Sequence, residues 1–281
     1  MARAKSNGVE LEFETFGDPA RETVLLINGL GSQMTRWPEA FCALLAARGF
    51  HAIRFDNRDI GLSTWLSPDA AYRVEDMAAD AVAVLDAAGV ARAHIVGMSM
   101  GGMIAQTVAS DYPGRTLSLT SIMSATGNPD LPPSTPAAWA VISQPAPDPA
   151  DREVFLAHAV KNAQVIGSPA YPWPPGALRE RAEAELARAF NPAGVGRQMA
   201  AIRASGDRRA KVASITAPTV VLHGEVDPLV PVEGGRDTAA LIAGAELRVI
   251  PGMGHDMPPA LYPTFIDAIL RAVERAHALA H

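Results

Sequence analysis

The sequence predicts an α/β fold: a mostly parallel sheet with helices on both faces and one helical insertion. Two observations carry this. Short continuous apolar runs alternate with amphipathic segments along most of the 281 residues, the pattern of parallel strands buried on both faces. The alternation then breaks over residues 125–214, which hold roughly half of the 23 prolines and several helical pieces. Unstructured connections of that length are rare inside compact domains. Residues 125–214 are therefore expected to form a helical cap (lid) subdomain, on a core domain made of residues 1–124 and 215–281.

The elements follow in order. VELEFETF at 9–16 reads as a first strand, and TVLLIN at 23–28 as a compact apolar strand that runs into the glycine-rich loop NGLGSQ. Residues 37–48 have helical spacing and stop at Gly49; HAIRFD at 51–56 is the next strand. A helix over 74–88 stops at Gly89, a strand covers 93–97, a helix 101–110 and a strand 117–122. Within the insertion, 179–189 is helical. The alternation resumes with TVVLHG at 219–224, a helix at 235–242, the strand LRVIPG at 247–252 and a last helix from 261 to about 276. Glycines close the helices because they accept the left-handed backbone of a C-terminal cap.

Composition narrows the function. The net charge of −6 and the scattered Lys and Arg argue against a nucleic-acid partner. No apolar run reaches membrane-spanning length and MARAKSNGVE has no hydrophobic signal core, so the expectation is a cytoplasmic protein with no membrane association. Cys42 is the only cysteine, set in the apolar pattern FCALLAA, and reads as packing.

The chemistry is concentrated in HIVGMSMGGMIA, residues 94–105. Gly97-Met98-Ser99-Met100-Gly101 follows a strand and precedes a helix, the G-x-S-x-G nucleophile elbow. A strand that becomes a helix within one residue strains that residue and presses the positions two before and two after it against neighbouring backbone. Ser99 Oγ is thereby held out, with the first N–H groups of the helix aimed at the same spot.

A hydroxyl nucleophile needs a base, and the base an orienting acid, both following in chain order at later strand ends. Of the seven histidines, His51 and His94 open strands at the opposite end of a parallel sheet. His158 lies in the insertion, His277 and His281 lie in the terminal tail, and His223 reads as support. His255, in IPGMGHDMP, stands after a strand and before the last helix. For the acid, Asp227 in LHGEVDPLVP leads, with Glu225, Asp256 and Asp130 as alternatives. The oxyanion hole is assigned to the backbone N–H groups of Leu30, in Asn28-Gly29-Leu30-Gly31, and of Met100. Trp139, Tyr171 and Trp173 are the candidate substrate-binding aromatics of the cap, with Met98, Met100 and Met103 below them.

With Ser99, Asp227 and His255 in place, the chain resembles the α/β-hydrolase superfamily over almost its whole length. That family carries its cap between the sixth and seventh strands, where this insertion falls. FDNRDIGLS at 55–63 is similar to the family's D-x-R-G-x-G-x-S loop, with Asp59 at a common glycine. Asn28 stands where many relatives have histidine. NGLGSQMTRWP, DNRDIGLS, GMSMGG and IPGMGH resemble esterases of the aclacinomycin methylesterase type. The resemblance implies a serine hydrolase that cleaves small-molecule carboxylic esters through an acyl-enzyme and needs no cofactor. Lactonase, perhydrolase or amidase chemistry on the same triad, or a ligand-sensing homologue, are the alternatives. No metal is expected: the cluster Asp56, Asn57, Asp59 has no histidine at ligand spacing and contains Arg58. Neither glycine-rich loop has a Walker lysine or dinucleotide-binding spacing.

Overall fold

The structure, a computed structural model, describes residues 2–279. The sheet begins earlier than residue 9. Ala2–Ser6 (β1) pairs antiparallel with Val9–Phe16 (β2), Ser6 opposite Val9. Asn7 and Gly8, both with positive φ (40° and 84°), make the two-residue turn. Asn-Gly is the dipeptide such turns favour, because both central residues need left-handed backbone.

The remaining elements are Thr23–Ile27 (β3), Glu39–Ala47 (α1), His51–Phe55 (β4), Val74–Ala87 (α2), Ala93–Met98 (β5), Met100–Asp111 (α3) and Thr116–Ile122 (β6). Five helices follow before the next strand: Pro136–Ser143 (α4), Arg152–Ile166 (α5), Ala177–Arg188 (α6), Pro192–Ser205 (α7) and Arg209–Ala213 (α8). Thr219–Gly224 (β7), Glu233–Leu241 (α9), Glu246–Ile250 (β8) and Tyr262–Leu279 (α10) complete the described chain.

Differences from the expected bounds have local causes. Helix α1 starts at Glu39 rather than 37 because Pro38 is its extended N-cap (ψ 153°), and the ring of a proline biases the residue before it away from helix. Strand β8 stops at Ile250, before Pro251, which has no N–H for the ladder. All five β8 residues are half-buried, as befits an edge strand, and its Glu246 and Arg248 discourage further pairing.

The sheet order is β1-β2-β4-β3-β5-β6-β7-β8. Strands β1, β2 and β4 pair antiparallel, and every pairing from β4 through β3 to β8 is parallel. Two apolar layers result. Leu25 and Ile27 pack with α2 and α3 on one face, while Val24 and Leu26 pack with α1 and α10 on the other. The chain lays β4 on one side of β3 and β5 on the other. Such a reversal opens a crevice at the carboxyl ends of the strands. The opposite ends carry Thr23, whose hydroxyl meets His51 Nδ1 at 3.1 Å, and His94, whose Nδ1 meets Ser118 Oγ at 2.8 Å. Burial lowers the His94 imidazole to about 4. Among the described residues no helix is long and apolar enough to cross a membrane.

The edge strand is tied to α10 by Glu246, whose carboxylate accepts from Arg248 (2.9 Å), Arg271 (2.8 Å) and Arg275 (3.3 Å). Hydrogen bonding from Arg271 in the first place brings this carboxyl down to about 2 from the ordinary 4.5. A depressed carboxyl stabilises the fold above the unfolded value and loses that contribution as pH falls toward the folded one. Glu246→Gln is expected to cost ~1 kcal/mol at pH 7, since the group is solvent-screened. The deficit in thermal melts should shrink by more than half at pH 3. A deficit independent of pH would assign the loss to packing instead.

Candidate active site

Ser99 sits at the end of β5 with φ 57° and ψ −124° and caps helix α3. That backbone costs a non-glycine residue on the order of 1–3 kcal/mol. The surroundings enforce it. A Cβ on Gly97 would stand 2.0 Å from the Gly101 carbonyl oxygen, and one on Gly101 would stand 2.2 Å from that of Ile27. Ser99 N–H donates to the Ile122 carbonyl (2.9 Å), and the Ser124 hydroxyl to the Ser99 carbonyl (2.8 Å).

His255 Nε2 lies 2.9 Å from Ser99 Oγ, and His255 Nδ1 lies 2.7 Å from Asp227 Oδ2. Asp227 is held in turn by the N–H groups of Leu229 and Val230, both 2.9 Å from Oδ1. Burial alone would raise this carboxyl, but His255 and His223 hold it below the usual carboxylate range. An ionised carboxylate accepts here, so Nδ1 is the nitrogen that donates and Nε2 is left to face Ser99 Oγ. The His255 loop is clamped from the helical insertion: His255 N–H donates to the Ile166 carbonyl (2.7 Å), and Gly254 N–H to Ser168 Oγ (2.9 Å).

The rival acids stay apart from this relay, and of the other described histidines only His223 touches it, 3.6 Å from Asp227 Oδ2. Asp256 accepts from Ser168 Oγ and from Trp173 Nε1 (2.7 Å), and burial raises its carboxyl. Glu225 is exposed, and Asp130 lies beside Arg209 at 3.7 Å. His223 Nε2 donates to the Val230 carbonyl (2.8 Å), and His158 bonds Asn162. His281 lies outside the described residues.

Beside Ser99, a Cβ on Gly29 would come within 3.2 Å of Ser99 Cβ, so the loop after β3 lies against the elbow. Among the described residues the Leu30 N–H has no acceptor. The Met100 N–H is the first of α3 and has none within its helix. Asn28 is fully buried and donates to the Phe55 carbonyl (3.4 Å), while Asn57 donates to the Asn28 carbonyl (3.1 Å). The loop is thus anchored without the histidine common in relatives. Gln198 accepts the Gly31 N–H (2.9 Å) and donates to the Arg58 carbonyl (3.0 Å).

Each acid of the 55–63 loop is spoken for. Asp56 accepts from the N–H groups of Met34 (2.7 Å) and Leu62 (3.0 Å) and faces Arg188 at 2.7 Å. Asp59, with φ 72°, takes both guanidinium arms of Arg197 (2.9 and 2.7 Å). Arg58 pairs with Asp80 (2.6 and 2.7 Å). Gln198, Ser168, Arg188 and Arg197 belong to no motif, and only their partners far along the chain reveal them.

Of the three candidate aromatics between β6 and β7, Tyr171 packs against the apolar layer that includes Met253 and Tyr262. Trp173 joins the Asp256 side of the histidine loop, borders a cavity of about 370 Å³ with Ser168 and Leu178, and carries the Arg181 guanidinium 4.6 Å from its ring centre. Burial lowers Arg181 to about 10. Trp139, on α4, is 43% exposed and lines neither this cavity nor a second one of about 190 Å³ between Gly31, Ile60, Phe155 and Phe190.

The comparisons with known proteins bear on the fold and the family. A family model described as the alpha/beta hydrolase fold matches residues 22–258. Rhodomycin D methylesterase DauP of Streptomyces sp. (strain C5) is 33% identical over 284 residues, covering 93% of this chain and 94% of that protein. A solved hydrolase from Pseudomonas aeruginosa PA01 superimposes with a TM-score of 0.75 at 27% identity, covering 97% of each chain. Est816, described as an N-acyl homoserine lactone degrading enzyme, does so with a TM-score of 0.73 at 28% identity, covering 96% of this chain and 99% of that one. With a family model over most of its length and a methylesterase one-third identical across 93% of it, the chain belongs to the α/β-hydrolase family and is a hydrolase.

Proposed function

We propose that the chain is a serine hydrolase that cleaves carboxylic esters through an acyl-enzyme. The observation that carries this is the relay Ser99 Oγ–His255 Nε2 (2.9 Å) and His255 Nδ1–Asp227 Oδ2 (2.7 Å). Ser99 Oγ attacks the ester carbonyl while His255 Nε2 takes its proton. The N–H groups of Leu30 and Met100 receive the oxyanion, charge that exists only along the reaction path and is best met by fixed donors. Collapse expels the alcohol, protonated by His255, and leaves an acyl group on Ser99. Water, deprotonated by His255, then releases the acid. No cofactor enters these steps. Residues 125–214 act as the cap over the site, with Tyr171 and Trp173 as its aromatic contacts to substrate, while Trp139, exposed and lining neither cavity, falls outside that set. Methyl esters are the first substrates to try, because the relative at 33% identity is a methylesterase. Lactone opening is the second reading, supported by the similarity to Est816; the same relay opens a cyclic ester, and the alcohol then stays on the product.

Three expected outcomes test this. Ser99→Ala should lower kcat/KM on p-nitrophenyl and methyl esters by about 10⁴-fold or more with an unchanged melting temperature. Near-native turnover in the folded variant would overturn the reading. Asp227→Asn should lower kcat by roughly 10⁴-fold, because the amide can hold the wrong imidazole tautomer. Asp256→Asn, which leaves one oxygen for its two donors, should cost less than about tenfold. The reverse ranking would move the acid to Asp256.

A further inference from the structure

The far end of the sheet holds a second cluster of chemistry that ester hydrolysis does not use. His94 opens β5, Glu22 precedes β3 and His277 lies in the last turns of α10. One ligand atom from each lies within 4.8 Å of the others. We propose that Glu22, His94 and His277 bind one divalent transition-metal ion of the zinc class at the pole of the sheet opposite Ser99.

The donor set is that of zinc: two imidazole nitrogens and a carboxylate oxygen. Zinc bonds to such atoms of about 2.0–2.2 Å at tetrahedral angles put neighbouring donors about 3.3 Å apart. His94 Nε2 to Glu22 Oε2 is 3.6 Å, and His277 Nε2 to Glu22 Oε2 is 2.9 Å. These two edges bracket the required length, and the third, between His94 and His277, is within 4.8 Å. The His277 side chain is 53% exposed, and its contact with Glu22 is the one an ion would replace.

An independent observation points into the same space. His94 is 1% exposed, and among the described residues its Nε2 has no hydrogen-bond partner. A buried ring nitrogen left unpaired costs free energy. The other nitrogen, Nδ1, meets Ser118 Oγ at 2.8 Å, the kind of outer contact that fixes the tautomer and orientation of a metal-bound histidine. With the Nδ1 proton given to Ser118, the Nε2 lone pair faces Glu22 and His277. The neighbouring Arg92 is turned to the Thr116 carbonyl (3.4 Å). Glu22 and His277 are both half-exposed, so water can fill the fourth position. The ion would join the approach to β3, the start of β5 and the end of α10, three pieces distant in the chain. Its role is a structural staple, and binding to the folded state alone raises stability by mass action.

The test uses the full-length chain without a histidine tag, stripped with a chelator. Titration with ZnCl2 by calorimetry should give one ion per chain, with a higher melting temperature at saturation. Co²⁺ should give the visible absorption bands of a four-coordinate site. His277→Ala and Glu22→Gln alter surface side chains, so both should fold with the metal-free melting temperature and lose the stoichiometric heat, the Co²⁺ bands and the thermal shift. Absence of stoichiometric binding to the native chain would overturn the proposal. So would equal binding by both variants, which would assign the ion to other residues.

Discussion

The contact of Gly97 with the Gly101 carbonyl, too close for any side chain, is the constraint on which the reactive end of the molecule depends. It makes the chain leave β5 and enter α3 around one residue, and that residue takes the unfavourable backbone. Strain of on the order of 1–3 kcal/mol persists only where packing over-determines it. Here Gly101 lies on the Ile27 carbonyl, so the same packing presses the elbow against the end of β3. The serine and the loop that carries the Leu30 N–H are therefore positioned by one set of contacts.

A second layer of organisation is electrostatic. Asp56 and Asp59 are fully buried at the edge of the crevice, and their partners, Arg188 and Arg197, come from α6 and α7. Removing one member of a buried pair leaves an uncompensated charge at a cost of about 3–5 kcal/mol. The helices are tied to the core by these ion pairs as well as by apolar contact. Asp59 explains the departure from the glycine common in relatives. It accepts a φ of 72° and in return supplies the carboxylate that Arg197 needs.

The parallel strands and their helices were legible because their signals are local: apolar runs of strand length, glycine stops, and a motif whose geometry lies within five residues. His255 and Asp227 could be singled out because chain order and strand ends restrict the choice, and the structure brings both side chains to Ser99. Strand β1 was not read, since ARAKS has one fully buried position and its exposed charges hide the alternation; Asn7-Gly8 was its only sharp signal. Trp139 shows the limit of composition. A large aromatic side chain suggests a buried wall, yet its helix leaves it 43% exposed. The anchors Gln198 and Ser168 were silent because a hydrogen bond across the molecule leaves no periodicity in the chain.

The bonds from Ile166 and Ser168 to the histidine loop carry one more consequence. In a modular enzyme the part that chooses the substrate can be exchanged while the reactive part stays as it was. Here the N–H of His255 is held by the end of α5, and the loop beside Ser99 is held by Gln198 of α7. A graft that replaced these helices would take with it the supports of the base and of the loop after β3. On the proposed mechanism, changes in selectivity that leave reactivity intact come from side chains between those anchor points, with residues 166–168 and 198 kept in register.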